Sequence, residues 1–320
     1  MKEETVNEII DCLPKGKTPF YYFRDRYALM MLSYYVGDGK RVQEIKKSRL
    51  GKLLNKPMVK NALKGAGSGI LTKGALDSLW PAMPECYLLT LGKWVGDAKW
   101  SRPYYQTSRP GANLVLQLNF SGKHNTPFRK TFHPSEENIF VFKEHPNAEE
   151  GFKTLAWARI DLDFDTDEAL IEEVQCDWIK NALWEKTFAA LFAEEAVSNE
   201  ISDQEFFEDW GYTPKGLLKY VEQVLKPHMK IWDEAMLSAA VWFLKEEIGI
   251  NRIFYHSFET GCKIKRQSGR KPPRSVYTTL PEKFCFTKTR EYPRLLEHSK
   301  NRRVKAILKG KDARFFHLDF

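Results

Sequence analysis

The chain has 320 residues, of which 42% are hydrophobic, 29% charged and 13% aromatic, a composition that builds a packed core and excludes disorder for most of its length. No run approaches eighteen apolar residues, which excludes a membrane-crossing helix, and the start MKEETVNEIIDCL lacks the apolar stretch of a secretory signal. The net charge of +8 is uneven: residues 145–212 hold four Lys/Arg against eighteen Asp/Glu, and residues 262–320 hold seventeen against five.

Residues 1–80 read as helical. In PFYYFRDRYALMMLSYYVG, Phe20, Phe23, Tyr27, Met30, Met31 and Tyr34 recur at three- and four-residue steps, which predicts one helix with a single apolar stripe, ended by Gly37 and Gly39. RVQEIKKSRLGKLL and KPMVKNALKGAG predict two shorter helices. From residue 85 the pattern changes, and CYLLTLGKWVG and NLVLQLNF read as strands around a Pro-containing loop. FKTLAWARIDLDFD and ALIEEVQCD, joined by the turn TDE, predict a hairpin over 152–176 in the central sheet. Three helices follow, WIKNALWEKTFAALFAEEA, PKGLLKYVEQVLK and KIWDEAMLSAAVWFLKEEIGI, and the last should bury Trp232, Met236 and Phe243 against the sheet. RIFYHSF, directly after Gly249, is a strand reached by a crossover into the same sheet. In the last sixty residues YTTLPEKFCF is the one strand-like piece. The expected fold class is α+β or mixed α/β with a central sheet. Its parts are a helical N-terminal region over 1–82, a core domain over 83–261 and a basic extension over 262–320 packed on it.

The five cysteines, Cys12, Cys86, Cys176, Cys262 and Cys285, are scattered and never in CxxC spacing, and the seven histidines never form HExxH or HxH. They predict reduced thiols in the cytoplasm and argue against a metal site built on histidine or cysteine.

The segment WARIDLDFDTDEALIEEVQCDW concentrates the chemistry. Strand alternation puts Trp157, Arg159, Asp161 and Asp163 on one face. In the returning strand it groups Ile171, Glu173, Gln175 and Asp177, opposite Leu170, Glu172, Val174 and Cys176. Arg159, Asp161, Glu173, Gln175 and Asp177 are then expected to gather in a cleft, unless they form only a salt-bridged hairpin with Asp177 capping a helix that starts at Trp178. IEEVQCDW resembles the (V/I)EEIQSDW signature of large multidomain polyvalent proteins of phages and conjugative elements. The flanks WARIDLDFDTDEAL and FLKEEIGINRIFYHS extend the resemblance over residues 155–260. It implies an origin in a mobile element and singles out Arg159, Glu172, Glu173, Gln175, Asp177 and Trp178. Cys176 stands where that signature has serine, and Ile179-Lys180 where His-Gln commonly follows.

Three reactions fit these residue types. Asp161 or Asp163 with Glu173-x-Gln175 imitates the Mg²⁺-binding layout of PD-(D/E)xK nucleases, with Asp161, Asp163 and Glu173 as metal ligands and Arg159 and Gln175 beside them. A helix followed by INRIFYHS suggests acyl transfer of the GNAT type, although the helix after IEEVQCDW has no glycine for a pyrophosphate turn. Cys176 as nucleophile, with His256 as a distant base, is the third. A non-catalytic role in binding nucleic acid or protein, or self-association, stays open beside them. Lys263, Lys265, Arg266, Arg270, Lys271 and Arg274, with Gly261 and Gly269 for freedom, are the candidate phosphate contacts. The alternative for this basic tail is to lie on the acidic stretch 145–212.

Overall fold

The computed structural model describes residues 1–12, 18–95, 107–148, 151–198, 202–265, 267, 271–297, 299 and 301–320. The fold is mixed α/β, a central sheet with helices packed on it, the N-terminal helices included. The strands are β1 (Thr18–Tyr22), β2 (Lys40–Arg41), β3 (Ile70–Leu71), β4 (Glu85–Trp94), β5 (Asn113–Phe120), β6 (Thr154–Asp163), β7 (Glu168–Gln175), β8 (Arg252–His256), β9 (Thr287–Thr289) and β10 (Phe315–Asp319). Eight of them form one sheet in the order β1-β4-β5-β6-β7-β8-β10-β9, and β2 pairs with β3 in a small ribbon. Every neighbouring pair in the large sheet is antiparallel except β7 and β8. That parallel step needs a long crossover, which the helices between Asp177 and Ile248 supply.

Both faces of the sheet are covered. On the first, Leu114, Leu116, Ala158, Ile160 and Ile171 face the helix Trp232–Trp242, which runs on into a wider-wound turn over Phe243–Ile248, and Tyr255 stacks on Tyr277. Met236, Ala239, Ala240 and Phe243 of that helix are buried as its periodicity predicts, while Trp232 is only partly buried. On the second face, Leu170, Phe254 and Phe315 pack with Ile264, Leu295, Leu296, Val304 and Leu308, from the helices Phe258–Ile264 and Arg302–Lys309 and the turn between them. Strands enclosed on both sides read as continuous apolar runs, and all of β5 is buried. Among the described residues no helix is long and apolar enough to cross a membrane.

Three local expectations are corrected. Residues 18–36 are not one helix: β1 pairs with β4 and buries Phe20 and Tyr22 alternately, and the helix starts only at Arg26. Asp25, left-handed at φ 64°, breaks the backbone between the two. YTTLPEKFCF is a turn and the short helix Thr279–Lys283, with Pro281 in the first turn, where its missing N–H is not needed. The strands of the tail are β9 and β10, so residues 262–320 complete the sheet beside β8.

The third correction concerns the hairpin. Arg159 pairs with Glu173 but Ile160 pairs with Ile171, so Glu172 is an extra residue, a β-bulge. Alternation therefore restarts within β7. Ile171 joins Ile160 on the first face, whereas Leu170, Glu172 and Glu173 all turn to the second.

Candidate functional site

The bulge places two adjacent carboxylates on one side of the sheet, and the chain surrounds them with cations and donors. Glu173 binds the Arg159 guanidinium, and the Lys265 ammonium lies 3.9 Å from it. Lys265 Nζ also donates to the Glu172 carbonyl at 2.7 Å, satisfying a backbone oxygen at the bulge. The Glu172 carboxylate accepts from the Ser108 amide and hydroxyl, each at 2.8 Å, and His256 Nε2 lies 3.1 Å away. Arg159 sits 4.8 Å from the centre of the Trp94 ring. Arg159, Glu172 and His256 have no exposure to solvent, and Lys265 is 2% exposed.

Burial alone would raise the Glu172 pKa, but the hydrogen bond from His256 and the charges of Lys265 and Arg159 hold it below the usual carboxylate range. Burial also works against a charge on His256 and lowers its pKa. The resting state is thus a neutral imidazole beside two carboxylates and two cations, a knot without net charge. With the Ser108 hydroxyl donating to Glu172, His256 Nε2 carries a proton toward Ser108 Oγ, 2.8 Å away. His256 then has no lone pair facing Ser108, and its Nδ1 has no partner among the described residues. The trio is not a nucleophile with its base.

Asp161 lies further along β6. Arg109 grips it with two hydrogen bonds of 2.6 and 2.9 Å, and the Met1 ammonium sits 2.9 Å from Oδ1. Asp163 lies 3.8 Å from the same guanidinium. The three carboxylates proposed as metal ligands are each turned to a cation, Asp161 and Asp163 to Arg109 and Glu173 to Arg159 and Lys265. A donor set so engaged does not fit a hard divalent ion. Among the described residues no group of three His, Cys, Asp or Glu is placed to hold a metal.

A second cluster sits where β7 ends and the helix Asp177–Ser198 begins. Asp177 Oδ2 is 2.7 Å from His145 Nδ1 and accepts from Trp157 Nε1 at 3.2 Å, while Oδ1 accepts from Gln175 Nε2 at 2.6 Å. These contacts hold the Asp177 carboxyl below its usual range against the opposing effect of burial. The His145 ring contacts those of Phe142 and Trp157, tilted by 47° and 72° at centroid distances of 4.5 and 5.5 Å. Its side chain is 21% exposed and that of Asp177 11%. Asp177 is inside the helix rather than its cap, because its carboxylate is taken by these side chains. The buried Cys176 thiol receives the Ile179 amide instead. Burial pushes that thiol up, away from nucleophilic use. Strand passes to helix without a glycine, and an acid stands at the helix start, so the pyrophosphate turn of GNAT-type acyl transfer has no counterpart here.

The candidate residues thus fall into separate groups. Arg159, Glu172, Glu173 and Lys265 meet in the knot, Gln175 and Asp177 meet at the rim, and Asp161 and Asp163 lie on Arg109. Sequence reasoning missed His145, which lies in an irregular segment 32 residues before its partner, and Ser108; no local signal marks either. Of the expected phosphate contacts, Lys263, Lys271 and Arg274 are exposed and Arg274 pairs with Glu259 at 2.5 Å. Lys265 is withdrawn from the surface into the knot, because the bulge carbonyl and Glu173 compensate its burial. Arg266 and Arg270 lie outside the described residues.

Part of the basic tail lies on the acidic stretch and part faces outward. Lys265 reaches Glu173, and Arg294 approaches Glu168 to 3.8 Å, both inside the acidic stretch. The helix Arg302–Lys309 turns Val304 and Leu308 inward and exposes Arg302, Arg303, Lys305 and Lys309. Arg303 Nη2 donates to the Lys263 carbonyl at 3.1 Å, so Lys263 belongs to the same outward face. Among the described residues Lys263, Arg302, Lys305 and Lys309 have no acidic partner. No family model, no curated protein and no solved structure matches this chain.

Proposed function

We propose that the protein binds nucleic acid, with little sequence preference, through the face formed by Lys263, Arg302, Arg303, Lys305 and Lys309. The observation that carries this reading is the helix Arg302–Lys309, whose apolar residues fill the second core while its cations stand unpaired by acids and clustered. Exposed cations without acidic partners are ready to replace the counterions of a phosphate chain. The five cysteines are free, which suits a cytoplasmic site of action, and descent from a mobile element belongs to the same reading.

A salt titration tests it. Wild-type protein should retard single- and double-stranded oligonucleotides alike, with log K falling linearly against log salt. Replacing Lys263, Arg302, Lys305 and Lys309 by Ala should flatten the slope by about 0.7 for each lost phosphate contact on a single strand. Ala keeps helix propensity high at these exposed positions, so the melting temperature should not fall. Unchanged affinity and slope in the fourfold variant would remove the proposal.

A further inference from the structure

The rim cluster has the parts of a general base. His145 Nδ1 lies 2.7 Å from Asp177 Oδ2 and 2.9 Å from Gln175 Nε2, and that amide already donates to Asp177 Oδ1 at 2.6 Å; with Asp177 ionised, Nδ1 therefore donates its hydrogen to Oδ2, which leaves the lone pair on Nε2. Asp177 is itself fixed by Gln175 and Trp157, and the ring touches the Phe142 and Trp157 rings, so the orientation of Nε2 is set in advance. Among the described residues Nε2 has no partner, and the imidazole is partly exposed. Next to it Phe142 is 46% exposed, a flat apolar surface on which a nucleobase can stack. The chain links the cluster to the basic face through Lys265 and β7. The helix that carries Lys263 ends at Ile264, the next residue Lys265 reaches Glu173, and Gln175 is two residues further along the same strand.

We infer that His145 is the base of a metal-independent ribonuclease activity on single-stranded RNA, an inference that rests on the nucleic-acid-binding reading. A lone positioned base needs a nucleophile already attached to the substrate, and the ribose 2′-hydroxyl is one. His145 Nε2 takes the 2′-hydroxyl proton, and O2′ forms a bond to the adjacent phosphorus. The bond from phosphorus to the 5′-oxygen of the next nucleotide breaks, and water protonates that leaving oxygen. The hydroxide so formed takes the proton from His145. The products are a 2′,3′-cyclic phosphate and a 5′-hydroxyl, with no co-reactant consumed. Asp177 is a positioning residue in this step.

The test uses end-labelled single strands, one all RNA and one of the same sequence in DNA, incubated with the full-length protein in EDTA. The RNA should be cut to fragments ending in 2′,3′-cyclic phosphate, and the DNA should stay whole. His145→Ala should slow cleavage by about 10²–10⁴-fold while still retarding RNA on a gel, and added imidazole should restore part of the rate. Asp177→Asn should lose less than His145→Ala, and Asp177→Glu should recover part of that loss. RNA that is bound by the wild type but left intact would overturn the inference and spare the binding reading. Loss of RNA retention in the wild type would overturn both. Cleavage unaffected by His145→Ala, or equal cleavage of DNA, would overturn the base and 2′-hydroxyl assignments.

Discussion

The knot around Glu172 and the rim around Asp177 are five residues apart on one strand–helix unit, and both combine carboxylates with a histidine. Their environments separate them. In the knot, two cations and two carboxylates are shut from water, and the histidine is a neutral donor with no lone pair facing the serine. At the rim, the acid fixes one imidazole nitrogen and leaves the other toward solvent. A polar cluster enclosed on all sides can hold a strand register, whereas only one with an open edge can meet a substrate. The richer cluster is therefore the structural one.

The largest effect should come from breaking the knot. Arg159→Met leaves Glu173 buried beside Lys265 without its guanidinium, a loss of about 3–5 kcal/mol of stability by urea unfolding. Replacing Glu173 by Met in the same protein should return most of that loss, because the uncompensated charge goes with it. A single variant within about 1 kcal/mol of wild type would show that the pair does not hold the hairpin together.

A second effect separates buried histidines from the rim. Burial pushes His124 down to about 3, and His228 down to about 4. His124 lies 2.7 Å from the Tyr220 hydroxyl and His228 2.8 Å from that of Tyr87, and both rings are neutral in the fold. The unfolded chain takes up their protons first as pH falls, so their contribution is complete above about pH 6.5 and is lost as pH falls from there toward 4. At pH 5 each should have cost about 2 kcal/mol relative to neutral pH. Glu172 loses its contribution only below about pH 4.5, so it does not mask this window. Unfolding free energies that stay level between pH 7 and 5 would mean that these rings protonate freely in the fold.

Most of the sheet was legible because β4, β5 and the β6–β7 hairpin carry apolar alternation or continuous apolar runs, and the crossover to β8 follows from a helix ended by Gly249. β1 was not, because Phe20, Phe23 and Tyr27 happen to fit helical spacing, while pairing with β4 and a left-handed Asp25 decide otherwise. The bulge at Glu172 had no sequence signal. Yet it sets which residues share a face, so the site was recognised as a polar cluster but divided wrongly between the two sides. Lys265 looked like any other basic residue of the tail, and its burial depends on a carbonyl 93 residues away.

The smallest effect is the one that best separates the two clusters. His145→Ala removes one hydrogen bond to Asp177 but leaves that carboxylate its bonds from Gln175 and Trp157, and the vacated space opens to water. A charged acceptor that keeps two donors and gains solvent has little desolvation left uncompensated, so the loss should be about 0.5–1.5 kcal/mol. Gln175→Ala, itself partly exposed, should fall in the same range. The same urea titration that measures Arg159→Met measures these two. If His145→Ala proved as costly as the loss of the guanidinium, the rim would be an extension of the knot, and its histidine would be held for stability rather than presented to a substrate.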